Sequence, residues 1–407
     1  MIIGAGSMIG AGVFAAWAPA ARAAGDGLLI GLAIAGIVAF CNAASSAQLA
    51  AIHPESGGTY VYGRRQLGLF WGHLAGWGFV VGKTASCAAM ALTIGAYLTP
   101  EHQRPTAVLA VVVITAVNLG GLTRTVAVTR VLLVVSLTAL AAIVAVGLSH
   151  DDTVILSTDA LFDGAAGELG RAGDTDLLGI LQAAGFLFFA FAGYARIATL
   201  GEEVKDPAHT IPRAIPVALF GVLALYAVVG IVALDAVGAD LLAATDAPLR
   251  VIMTVADSPL EGVVQLGAGI ASLGVLLNLI PGVSRTTMAM ARNRELPGWF
   301  AHVDGARSLP LRAELTVASV VLVLVLTLDI RSSIAVSGVA VLTYYAVTNA
   351  AALTLTAEQR RWPRTISAVG FVGCVVLVFA LPGSALLGGL VVLGLGAVAG
   401  VVARRAA

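Results

Sequence analysis

Charged side chains are scarce in this chain: Asp, Glu, Lys and Arg make up 11% of its 407 residues, against roughly 25% in soluble globular domains. So little charge cannot cover a water-facing surface. Cysteine is as thin, with Cys41, Cys87 and Cys374 each set inside an apolar run. Such residues read as small buried hydrophobes rather than a disulfide framework or a metal site. The six histidines are His53, His73, His102, His150, His209 and His302. They are scattered along the chain and form no convergent cluster of the kind a membrane-embedded enzyme requires. No basic stripe with interleaved aromatics and no Walker-type phosphate loop is present, so neither nucleic-acid binding nor ATP-driven pumping is expected. No basic region precedes the apolar start, so no cleavable signal peptide is expected either.

What the chain has instead is apolar length. Hydrophobic residues make up 59% of it and the mean hydropathy is +0.96, the composition of a polytopic membrane protein. Apolar stretches near the 20 residues that span a bilayer fall at 1–21, 27–52, 71–99, 105–121, 125–148, 177–200, 212–236, 261–290, 313–328, 332–354, 365–381 and 384–403. Twelve helices in one integral membrane domain are therefore expected. The zero net charge hides an asymmetry. If both termini lie inside, sixteen of the 23 Lys and Arg residues fall in inner segments, five in outer loops, and Lys83 and Arg196 within spans. Positive charge stays on the cytoplasmic side during insertion, which predicts cytoplasmic termini and a multi-pass protein of the cell membrane. Spans 11 and 12, rich in Gly, Val and Leu, read as scaffold or an oligomer face, and the sequence sets no oligomeric state.

Two spans are poorly made for lipid. Residues 3–14 carry Gly4, Gly6, Gly10 and Gly12, a density that weakens a helix where Leu and Ala would be favoured. Gly6 and Gly10 fit a small-residue packing seam. The same stretch, Ser7, Met8, Ile9, Gly10, Ala11 and Gly12, also fits a helix that breaks and offers its backbone to a ligand, which hydrocarbon tolerates only beside protein or a wet cavity. Met1 stands three residues before these glycines, so a span broken here has almost no inner half, and a truncated start is expected. About 185 residues later, Phe188, Phe189, Ala190 and Phe191 crowd a second small-residue break at Ala192 and Gly193. Five spans separate the two breaks, so span 6 stands to span 1 as an inverted repeat. Corresponding interrupted helices in two halves are the best pointer in a sequence to a transporter's binding site.

Polar residues within spans are few. Lys83 lies roughly 18 Å along its helix from Trp71 at 1.5 Å per residue, near the midplane, where an ionisable group marks function or a buried partner. Ser136 and Thr138 are the polar residues in the middle of span 5, and membrane hydroxyls commonly bond their own backbone. Beyond span 2, Pro54, Glu55, Ser56, Gly57 and Gly58 end the helix before an amphipathic run with Arg64 and Arg65. That run reads as an interfacial loop, with a gating role as the alternative.

These segments together resemble the amino acid–polyamine–organocation (APC) permeases. The likeness lies in residues 3–14, residues 54–62, residues 188–207 and residues 285–297, and with the span pattern it covers essentially the whole chain. The resemblance implies an all-helical, leucine-transporter-type fold: a first repeat over 1–148, an inverted second repeat over 177–354, and two added helices over 365–403. It implies secondary transport of amino acids. The substrate carboxylate would meet the N–H groups of Ala11 and Gly12, and its amine the carbonyls of Met8, Phe189 and Ala192, with Phe191 and Ala195 bordering the side-chain pocket. The chain departs from the family's habits at Ala195, where an acid or amide is common, at Arg196 beside it, and at Ser136, where proton-coupled members often carry Lys. Lys83 is a further departure.

Free N–H groups favour an anion and freed carbonyls a cation, so a zwitterion suits both ends. Embedded cations without embedded carboxylates argue against a cationic substrate. The expectation is therefore a permease for neutral or anionic amino acids that is not an enzyme and carries no cofactor beyond a coupling ion. Lys83 would serve protons, or Ser136 with Ser272 would hold Na⁺, or the protein would exchange substrates with no ion. An amino-acid-binding sensor without transport is the alternative. The partners are then the small substrate and the lipid bilayer.

Overall fold

The computed structural model describes residues 8–53, 55, 57–120, 126–149, 176–193, 207–304 and 309–405. Among them the regular structure is helical, with one isolated bridge between Asp304 and Leu309. The helices are α1 (Ala11–Ala15), α2 (Trp17–Ala24), α3 (Leu28–Ile52), α4 (Thr59–Gln66), α5 (Leu69–Leu98), α6 (Gln103–Leu119), α7 (Val126–Ser149), α8 (Leu177–Phe191), α9 (Pro207–Ala243), α10 (Pro248–Val255), α11 (Glu261–Arg292), α12 (Leu311–Thr327), α13 (Ile330–Leu353), α14 (Arg364–Ala380) and α15 (Gly383–Arg405). Seven helical stretches among the described residues are long and apolar enough to cross a membrane, and α8 and α14 are apolar but shorter. Outward-facing Leu109, Leu177, Phe379 and Leu387 are each more than 60% exposed. Several helices of bilayer-spanning length and apolarity belong in lipid, so the chain is a multi-pass membrane protein.

α5 is the centre of the bundle. Every residue from Gly82 to Tyr97 is buried, and a helix apolar all round belongs inside its fold. Its small residues let neighbours approach closely. Gly76 lies against Met290 of α11, and Gly82 against Val341 and Ala340 of α13. The last helix uses its glycines in the same way: Gly389 meets Val339, Gly396 the Trp77 ring and Gly400 the His73 ring. That face of α15 is filled from within the chain, while Leu395 and Val398, elsewhere around the helix, are exposed.

Packing pairs fix directions. Gly12 faces Ala190, and Gly179 faces Ala23. As the sequence ascends one helix it descends the other, so the α1–α2 stretch and α8 run antiparallel, side by side. The hydrogen bonds Ala16 N to Gly12 O and Ala20 N to Ala16 O carry the ladder from α1 into α2. Gly25, at φ 52°, ends that ladder in a conformation few side chains adopt. Gly238, at φ 71°, interrupts α9 near its end in the same way.

Candidate functional site

The site is built where two helices stop. Ile9 and Gly10 are bends, and α1 begins at Ala11. Ala11 and Gly12 therefore occupy the first turn, where a helix leaves N–H groups without an intrahelical acceptor. Opposite, α8 ends at Phe191, and Ala192 N makes only a long 3.4 Å bond back to Phe189 O. Glycine is required on the facing side, since a Cβ on Gly12 would stand 2.7 Å from the Ala190 Cα.

Between the breaks lies a cavity of about 60 Å³ lined by Met8, Gly10, Gly12, Phe189, Ala190, Ala192 and Gly193, with Lys83, Ser86, Met90, Val275 and Leu279 closing it. A water needs about 10–15 Å³ by that measure, so the space suits roughly four to six heavy atoms. A larger ligand requires the lining to move outward. Lys83 reaches in from α5. It is 9% exposed, its Nζ lies 3.4 Å from Ala192 O, and no ion pair reaches it among the described residues.

The carbonyls at the breaks already have donors. Met8 O accepts from Gly10 N at 2.8 Å and from the Tyr226 hydroxyl at 2.7 Å. The Tyr226 hydroxyl also stands 3.3 Å from Ala190 O. Ala192 O accepts from Lys83 and, at 3.5 Å, from the Tyr345 hydroxyl. A ligand amine at Met8 would have to displace Tyr226, because a carbonyl has two lone pairs and both are used. Neither Tyr226 nor Tyr345 stands out in the amino-acid sequence as a site residue. For Tyr226 the available signal was a single hydroxyl-bearing ring in the middle of an aliphatic span, and for Tyr345 a Tyr pair with Tyr344.

The remaining expected residues fall elsewhere. Ile9 is buried beside the cavity without lining it. Phe191 packs on the Tyr226 ring at a centroid distance of 5.1 Å, and Phe189 takes the lining position expected of it, because two residues along a helix is about 200° of turn. Ser136 and Ser272 lie on adjoining stretches of α7 and α11, where Gly274 meets Leu132. Each donates to its own helix, to Leu132 O at 2.9 Å and to Ala268 O at 2.7 Å, and neither lines the cavity. Ser7, Ala195 and Arg196 lie outside the described residues.

A second polar constellation sits at the arginine-rich end of the bundle. Arg64 pairs with the buried Glu295, and its Nη1 donates to the Tyr60 hydroxyl at 2.8 Å. Asn293 donates to the same hydroxyl at 2.8 Å. Burial, with the charge of Glu295 beside it, pushes the Tyr60 phenol up to about 12, so it stays neutral near pH 7. His73 Nδ1 stands 3.4 Å from Glu295, and its Nε2 lies 2.8 Å from Gly396 O. Thr59 N donates to the Tyr344 hydroxyl at 3.1 Å, and Thr59 and Thr348 share a 2.6 Å hydroxyl bond. α4 is thus tied to the end of α11 and to α13, while Glu295 links it on to His73 of α5, which in turn bonds α15.

Comparison with known proteins bears on this architecture. A family model described as amino acid permease matches residues 1–394. The chain belongs to the amino acid permease family. An uncharacterised transporter of Mycobacterium tuberculosis is 55% identical over 411 residues, covering 100% of this chain and 91% of that protein. A chloroplastic cationic amino acid transporter of Arabidopsis thaliana is 28% identical, over 86% of this permease and 63% of the relative. A branched-chain amino acid permease of Bacillus subtilis is 24% identical, over 76% of this permease and 69% of the relative. The relatives are named as transporters and permeases, which move solutes rather than convert them. The breaks at Gly10 and Ala192 both fall within the matched region of this permease.

Proposed function

We propose that this permease is a secondary active transporter that carries neutral or anionic amino acids across the cell membrane by alternating access, through proton symport or exchange. One observation carries the reading: a buried cavity whose walls are the interrupted backbones of α1 and α8, with small residues on both sides. Peptide groups freed at such breaks suit the two charged ends of an amino acid, and they leave the side chain to the rest of the pocket. The antiparallel course of the two broken helices supports a leucine-transporter-type arrangement of two inverted five-span repeats, 1–148 and 177–354, followed by spans at 365–403. On this reading there are twelve spans and both termini are cytoplasmic.

Three couplings are compatible with it. Lys83 takes the proton, Ser136 and Ser272 turn from their own backbones toward Na⁺, or substrates exchange without an ion. The relatives named above differ in their substrates, so the substrate class rests on the cavity itself. There, one buried ammonium and no lining carboxylate among the described residues disfavour a cationic substrate.

Radiolabelled amino-acid uptake and counterflow in proteoliposomes, with imposed proton and sodium gradients, test the proposal. Saturable counterflow of at least one neutral or anionic amino acid is the expected result. Binding without counterflow would indicate a sensor instead, a reading that the names of the relatives do not favour. Proton dependence unchanged in Lys83→Ala would remove Lys83 from the coupling.

A further inference from the structure

We infer that Lys83 sets the charge of the substrate: its ammonium group is a resident cation of the cavity, and the site selects amino acids that bring one carboxylate more than a zwitterion has. This rests on the cavity being the amino acid site, as proposed above. Lys83 is buried, and its Nζ lies on Ala192 O at the C-terminal end of α8, where the helix dipole favours a cation. A substrate amine seeking that same carbonyl must push the Lys83 ammonium aside into a cavity that offers it little. Ser86 and Met90 are the nearest lining residues along its own helix, and Met8, Gly10 and Gly12 stand across from it. The Ser86 hydroxyl is already engaged with Gly82 O at 3.0 Å and with Ser337 at 2.8 Å.

The charge balance then decides the substrate. Among the described residues, no carboxylate lines the cavity. A zwitterion adds no net charge and leaves a buried ammonium uncompensated, which low-dielectric surroundings penalise. A basic amino acid doubles the excess. An acidic amino acid supplies a second carboxylate that pairs with the displaced Lys83 ammonium and brings the site to neutrality. The side-chain carboxylate is therefore read by Lys83, and the α-carboxylate and amine by the broken helices.

Pairs of ligands that match in shape and differ in charge test this on the purified full-length chain. Thermal shift and competition against uptake compare glutamate with glutamine and aspartate with asparagine. The wild-type protein should prefer an acid over its amide by about tenfold or more. Lys83→Met, similar in length and uncharged, should lose that preference while still binding the amide, and Lys83→Arg should keep it. A wild type that prefers the amides or treats the pairs alike overturns the inference, whatever the variants do. So does a Lys83→Met protein that keeps the full preference for the acids. A wild type that binds none of the twenty amino acids overturns the amino-acid reading of the cavity itself, and binding of neutral amino acids alone overturns only the role given to Lys83.

Discussion

Gly12 has no room for a methyl group on the side where α8 passes. The atom it would strike, the Ala190 Cα at 2.7 Å, is backbone and cannot rotate away. Gly12→Ala should therefore destabilise the protein by about 1–3 kcal/mol through overpacking and abolish ligand-induced stabilisation in thermal melts. Gly221→Ala is the control: on α9 a Cβ there meets nothing within 4 Å, and the change should be neutral or stabilise by about 0.5–1 kcal/mol. A Gly12→Ala protein with unchanged melting and binding would contradict the close approach. Tyr226→Phe removes one of two donors to Met8 O and should cost about 1 kcal/mol in denaturant unfolding. The glycines could be read from the sequence because four in nine positions have few physical explanations in a lipid span. Tyr226 could not, since nothing local tells whether a lone mid-span hydroxyl faces its own helix or another break.

At the scale of elements, the arginine-rich end makes a sharper claim than its sequence did. The amphipathic run with Arg64 and Arg65 reads as an interfacial loop, and in the structure it is the helix α4, Thr59–Gln66. Its docking depends on Glu295, a residue 231 positions away from Arg64. Such a pairing across the chain leaves no local pattern to read. Glu295 is 3% exposed and Arg64 27%, whereas the Arg65–Glu55 pair stands 59% and 54% exposed. A double-mutant cycle with Arg64→Met and Glu295→Gln should give a coupling of about 1–3 kcal/mol, in the range measured for residues in direct contact. The same cycle on Arg65 and Glu55 should give less than about 1 kcal/mol, as exposed pairs do. Equal couplings would mean that Glu295 does not anchor α4. The expected hydroxyl pair, Ser136 and Ser272, shows the opposite limit: the sequence placed both on helices that pack together, yet each hydroxyl turned to its own backbone.

At the scale of the whole molecule, composition settled the class, because a chain with this hydropathy has no alternative to lipid. The proposed orientation, with both termini cytoplasmic as the distribution of Lys and Arg suggests, predicts that Ala244→Cys, on the loop after α9, reacts with a membrane-impermeant maleimide added outside intact cells. Glu358→Cys, before α14, should react only after the cells are opened; the reverse pattern would invert the topology. Cys41, Cys87 and Cys374 are buried and should add little background. The architecture was less legible than the class, since the spacing of the two breaks along the chain does not say that they lie side by side, as Gly12 and Ala190 do. The cavity between those breaks carries the functional account, and the most direct test is a density map of the protein in a bilayer mimic with a binding amino acid added. The account predicts ligand density between residues 8–12 and 189–193, with its carboxylate toward the start of α1. Ligand density elsewhere in the bundle, with an unaltered cavity between α1 and α8, would contradict it.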